Sequence, residues 1–177
     1  MHRRLKSLAL VAAMTLAALG AECFSIKDPF VVSVNLEDIA DTLDIAPGAV
    51  DFEPGCRILN PSDYLNQNYD LVSGGRLVDV KVKTIGQFAG DVNGGEVTVN
   101  DVRLLTFSGT WNAFNTEQSL LSNSSLLDLN AAGVTVLETA LENRQPLTVC
   151  HQGAFSQPAP GGLQVVVKVF AQVDATP

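Results

Sequence analysis

Leu163, Val165, Val167, Val169, Ala171 and Val173 occupy every second position of one uninterrupted segment. Residues two apart share a face in an extended chain, where successive side chains point to opposite sides. The spacing predicts a long β-strand with one buried face. The other face carries Gln164, Lys168 and Gln172, with Val166 and Phe170 between them.

The same alternation recurs along the chain. Phe30, Val32, Val34 and Leu36 alternate with Ser33 and Asn35, and Val78, Val80 and Val82 with Asp79, Lys81 and Lys83. Glu96–Val99 and Leu104–Phe107 continue the pattern, with a change of parity at Asn100-Asp101 that calls for a bulge or turn. Leu147–Phe155 and the shorter Cys56–Leu59 also read as strands, and Asn93-Gly94 reads as a hairpin tip. Two stretches carry helical spacing. Leu36, Ile39, Ala40 and Leu43 form one stripe, ended by Pro47-Gly48; Val134, Leu137, Ala140 and Leu141 form another, ended by Pro146. Asn60–Asp63 is a turn, Ser156–Gly162 a loop, and Gly74-Gly75 belongs to a long surface connection. The polar stretch 108–128 reads as a loop with one helical turn near Gln118–Leu121. About six to eight short strands and two short helices, without a βαβ rhythm, predict a mainly β protein: an antiparallel β-sandwich with one or two short helical insertions. A small closed β-barrel is the alternative.

The N-terminus has the layout of a secretory signal peptide. His2, Arg3, Arg4 and Lys6 precede an apolar run from Leu8 to Leu19, and small residues follow at Gly20 and Ala21. The run is shorter than the ~20 residues that span a bilayer, so no transmembrane span is expected. Residues 1–21 are assigned to the leader and residues 22–177 to a single β-sandwich domain. Cleavage is expected before Ala21 or Glu22. Glu22 and an early Leu19 depart from a bacterial lipoprotein box, which leaves lipidation of Cys23 as the alternative, with a lipid anchor.

Without the leader, eight Lys and Arg residues face nineteen Asp and Glu. Such a chain repels phosphate backbones, and no basic patch is visible, so nucleic acid is not an expected partner. An exported chain oxidises cysteines in pairs. Cys56 and Cys150 both lie inside the predicted fold, and a Cys56–Cys150 disulfide is expected; pairing through Cys23, or free thiols, is the alternative.

Each candidate site has an ordinary competitor. Glu37, Asp38, Asp41, Asp44, Asp51 and Glu53 cluster in 36–53, and Asp38, Asp41 and Asp44 are the calcium candidates of that cluster. A solvated helix face is the competing reading. Asp128–Gly133 resembles the start of an EF-hand loop but has Ala132 at position five and Thr139 at position twelve, and reads as a helix-entry turn. His151 is the one imidazole base after the leader; it adjoins Cys150, and there is no G-x-S-x-G elbow to complete a hydrolytic site. Gly74-Gly75 and Gly94-Gly95 are followed by no Walker lysine. Trp111 and Phe114 are either an exposed contact platform or a buried plug at one end of the sandwich. No catalytic residue, cofactor or metal is assigned. The expected function is an exported, non-catalytic binding, adhesion or envelope-associated structural module, periplasmic, cell-surface or extracellular, with a protein, glycan or apolar ligand as partner. A carrier of an apolar small molecule or lipid is the alternative, and a hydrolase follows it.

Overall fold

The computed structural model describes residues 32–35, 39–63, 71–120 and 122–176. Residues 1–21, where a signal peptide is expected, and Cys23, Glu37 and Asp38 lie outside the described residues.

Among the described residues, ten strands form two antiparallel sheets of five. The first sheet is organised around the long segment that dominates the sequence, β10 (Leu163–Thr176). On one side β10 pairs β4 (Leu71–Ile85) over almost its whole length. On the other side β1 (Val32–Asn35) and β2 (Ile39–Ile45) follow one another along it. The two-residue β7 (Gln118–Ser119) closes part of the far edge of β4. The second sheet runs β3 (Asp51–Leu59), β9 (Leu147–Phe155), β5 (Asp91–Val99), β6 (Val102–Thr110) and β8 (Leu127–Leu129). The sheets remain separate and their edges open, so the fold is a β-sandwich and not the closed barrel.

The core is the product of the alternation. Val165, Val167, Val169, Ala171 and Val173 of β10 are all buried, as are Val80 and Val82 of β4. Val97, Val99, Leu105, Phe107, Leu147, Val149 and Phe155 supply the opposite layer. Val78 breaks its own pattern: the β4–β10 register slips between Phe170 and Ala171, and Val78 is left 42% exposed. A bulge adds one residue to one strand and reverses the parity beyond it.

The helix α1 (Ala131–Glu142) connects β8 to β9 and packs against β4 of the first sheet and β6 of the second. Asn130 caps it by accepting a bond from the Ala132 N–H at 2.9 Å. The Asp128–Gly133 motif is thus a helix entry. Gly133 lies against the Arg103 carbonyl and Leu104 of β6, while Gly75 of β4 sits under Leu141. A Cβ on Gly75 would stand 2.6 Å from the Leu141 Cβ. These two glycines let the helix approach both backbones, and Leu137, Ala140 and Leu141 are buried as predicted.

Several local expectations are corrected. Of the stripe Leu36–Leu43, read as a helix, the described part is a strand: 39–45 is β2, and it pairs Val169 through Leu163. A spacing of four belongs to both periods, and the free side of a long strand outweighs a helix too short to be stable alone. Gly74-Gly75 lies inside β4 and not in a surface connection. Asn93-Gly94 is a bulge within β5, with Gly94 at φ +57°, and not a hairpin tip. The β5–β6 tip is Asn100-Asp101, whose φ values of 48° and 65° give the two left-handed residues a tight hairpin needs. Its parity change was the visible sign. Trp111–Phe114 forms a 3-10 turn, and where a helical turn is expected near Gln118–Leu121, Gln118–Ser119 is the short strand β7, while Leu121 lies outside the described residues.

A candidate binding cleft at the loop end

Four connections meet at one end of the sandwich: 46–50, 86–90, the 3-10 turn at 111–114, and 156–162. Backbone bonds tie them together. Gly48 N–H donates to the Ala159 carbonyl at 2.7 Å, and Ala159 N–H to the Ala49 carbonyl at 2.8 Å. Trp111 N–H donates to the Gly90 carbonyl at 3.0 Å, and its indole Nε1–H to the Gly86 carbonyl at 3.1 Å. Thr84 Oγ1 donates to the Trp111 carbonyl at 3.0 Å. Ser156 Oγ accepts from the Asp91 N–H at 2.8 Å, and Ser156 N–H donates to the Asp91 carbonyl at 3.0 Å.

Beneath these loops lies an aromatic cluster. Phe88 meets Trp111 edge-on at 5.4 Å and Phe155 at 5.6 Å, and Trp111 meets Phe155 at 5.8 Å. Trp111 and Phe114 are both 0% exposed. They plug the sandwich and do not form a contact platform, because the indole N–H finds its acceptor inside the fold.

Above the cluster is a 590 Å³ surface cleft lined by Gln87, Phe88, Ala89, Asn112 and the stretch Gln157-Pro158-Ala159-Pro160. None of these residues is charged, in a chain with nineteen acids. Ala159 is buried, whereas Gln87, Asn112 and Gln157 are exposed. A 320 Å³ cleft nearby contains Asp44 and Asp51, and a 420 Å³ cleft contains Asp51.

The remaining predicted residues lie elsewhere. Cys56 and Cys150 are direct partners across β3 and β9, with their sulfurs at disulfide distance and Cα atoms 4.1 Å apart. Cys56 is exposed and Cys150 half-buried. Such pairs persist in oxidising compartments. His151 is 2% exposed and sits in the core, its ring 6.4 Å from Phe52. Asp41 and Asp44 lie in β2 opposite Val167 and Gln164, so these two calcium candidates sit on a strand and not on the solvated helix face. A three-residue spacing that gathers positions on a helix separates them on a strand. The Asp44 carboxylate accepts from Gln164 Nε2 at 2.7 Å. Among the described residues no group of three or more His, Cys, Asp or Glu is placed to hold a metal. No helix among them is long and apolar enough to cross a membrane.

Among the described residues, a charge cluster lies on the outer face of the first sheet. Glu117 lies 2.9 Å from Lys168 and 3.1 Å from Lys81, and these hydrogen-bonded ammonium groups hold its carboxyl below the usual carboxylate range. Lys81 also sits 5.0 Å above the Phe170 ring.

The cleft residues Gln87, Asn112 and Gln157 were not singled out from the sequence. The available signal was Pro158 and Pro160 and the polar surroundings of Trp111. Only the fold brings these loops, 25 and 45 positions apart at Gln87, Asn112 and Gln157, to one place.

No family model and no curated protein matches the chain. Among solved structures, a chain of Desmodium yellow mottle tymovirus aligns with 84% of this chain and 89% of its own, at 9% identity and a TM-score of 0.31. A chain of infectious bursal disease virus, Gx strain, aligns with 84% of this chain and 32% of its own, at 11% identity and a TM-score of 0.25.

Proposed function

We propose that the protein is an exported, non-catalytic β-sandwich binding module that recognises its partner at the loop end. The supporting observation is that the loops around the cleft are cross-tied by backbone bonds, over an interior already filled with side chains. A ligand carrier would enclose its cargo between the sheets, but Trp111, Phe114, Phe107 and Leu105 occupy that space. A rigid frame supporting exposed loops suits recognition, since little ordering remains to be done on binding. A surface disulfide at an edge strand fits life outside a reducing cytosol. Adhesion and an envelope-associated structural role are both forms of this reading.

The test uses the exported protein and envelope fractions of the cells that make it. Saturable binding, with hydroxyl-radical footprints confined to 86–90, 112 and 156–160, is the expected outcome. Footprints elsewhere would move the interface. A copurified apolar molecule in native mass spectrometry would favour the carrier.

A further inference from the structure

We infer that the cleft formed by Gln87, Asn112 and Gln157 is a binding site for a neutral carbohydrate. The inference rests on the binding-module reading and adds the chemistry of its ligand.

The argument starts from the amides. Asn100, Asn123, Asn130, Asn143 and Gln164 all spend their side chains on hydrogen bonds within the chain. The side-chain amides of Gln87, Asn112 and Gln157 make no such bond among the described residues. A 470 Å³ groove beside α1 is also free of charge, but there the side chains of Asn100, Asn143 and Gln145 each already make a bond to the protein backbone. The loop-end cleft is thus both uncharged and lined by amides with capacity to spare.

Each amide offers a carbonyl acceptor and two N–H donors at one end of a short stem. A hydroxyl both donates and accepts, so adjacent sugar hydroxyls complement such groups. With no cation or carboxylate in the lining, nothing in the cleft favours an anionic or cationic ligand. A peptide strand would instead seek backbone donors and acceptors along an edge. The wall Gln157-Pro158-Ala159-Pro160 is a poor ladder for one: both prolines lack an N–H, and the Ala159 N–H and carbonyl are bonded to Ala49 and Gly48, which leaves at most the Gln157 N–H as a backbone donor. The exposed rings of Pro158 and Pro160 give the C–H face of a sugar a surface to cover. The ties at Ala159, Ser156 and Trp111 hold the three loops before any ligand arrives, and a shallow site of few contacts depends on such preorganisation.

The test is chemical-shift titration of the mature domain with neutral hexose oligosaccharides of two to six units. Uronic-acid oligomers and a proline-free peptide serve as comparators. The expected result is saturable shifts confined to 86–90, 112 and 156–160 with the neutral oligosaccharides alone. Gln87→Met and Gln157→Met keep the chain length but remove the amides. Each should weaken binding roughly three- to tenfold, the range of one net hydrogen bond, without moving Tm. Equal binding of uronic acids or peptide, unchanged affinity in both variants, or no shift with any oligosaccharide would overturn the proposal. Envelope binding mapped to the same loops, without oligosaccharide binding, would remove the carbohydrate and leave the module. Loss of both would remove both.

Discussion

Removing the link between Cys56 and Cys150 by the double change Cys56→Ala/Cys150→Ala should lower stability through the unfolded chain more than the folded one. The folded ladder is well held without it, since Gly55 through Leu59 pair with His151 through Leu147 on both sides of the cysteines. Cys56 is exposed and Cys150 half-buried, so truncation leaves little cavity. The unfolded chain, in contrast, loses a closure between residues 94 apart. The chain-entropy relation gives about 4–5 kcal/mol for a loop of this length. For a domain of this size each kcal/mol moves Tm by about 2–4 °C, so a fall of roughly 8–20 °C is expected. Thermal unfolding with and without a dithiol reductant provides the assay. The reduced wild-type protein should match the double variant, and the reductant should leave the variant unchanged. A double variant melting within about 2 °C of wild type would refute the reasoning, because the pair would then impose no constraint on the unfolded ensemble.

Other outcomes follow from the packing. Trp111→Ala should cost about 3–5 kcal/mol in urea titration, as expected for an aromatic removed from a fully enclosed site; Trp111→Phe, which gives up the bond to the Gly86 carbonyl, should cost less. Gly133→Ala should destabilise by about 1–3 kcal/mol, because the added methyl meets the Arg103 carbonyl and Leu104 backbone; the ~1 kcal/mol by which alanine favours a helix does not offset this. Glu117→Gln should lower stability at neutral pH by about 1 kcal/mol or less, the scale of exposed ion pairs. The folded-state pKa of Glu117 is depressed, so its contribution is complete above the ordinary glutamate value and is lost as pH falls through the folded one. The gap between wild type and variant should therefore begin to narrow as pH falls below the ordinary glutamate value, and close only below the depressed folded one, measured as Tm against pH.

Much of the fold could be read from local pattern, and the failures have physical causes. β9, β10 and α1 were legible because each carries one unambiguous period over nine or more residues. β2 was misread because Ile39 and Leu43 satisfy both periods, and only pairing with β10 chooses between them. Asn93-Gly94 has the composition of a hairpin tip but forms a bulge, since β5 runs on between β6 and β9. Trp111 and Phe114 left exposure open, and the Gly86 carbonyl and surrounding rings decided it for burial. The candidate cleft was the least legible part. Its amides are ordinary loop residues until three separate turns converge.

Alternating side chains determine strands and a buried face by themselves, because in an extended chain parity alone decides which side a residue occupies. The sequence also sufficed to nominate Cys56 and Cys150 among the three cysteines. Which strands pair, where the parity breaks and which loops meet depend on contacts between residues far apart in the chain. Those are properties of the tertiary structure, and the cleft at the loop end exists only through them.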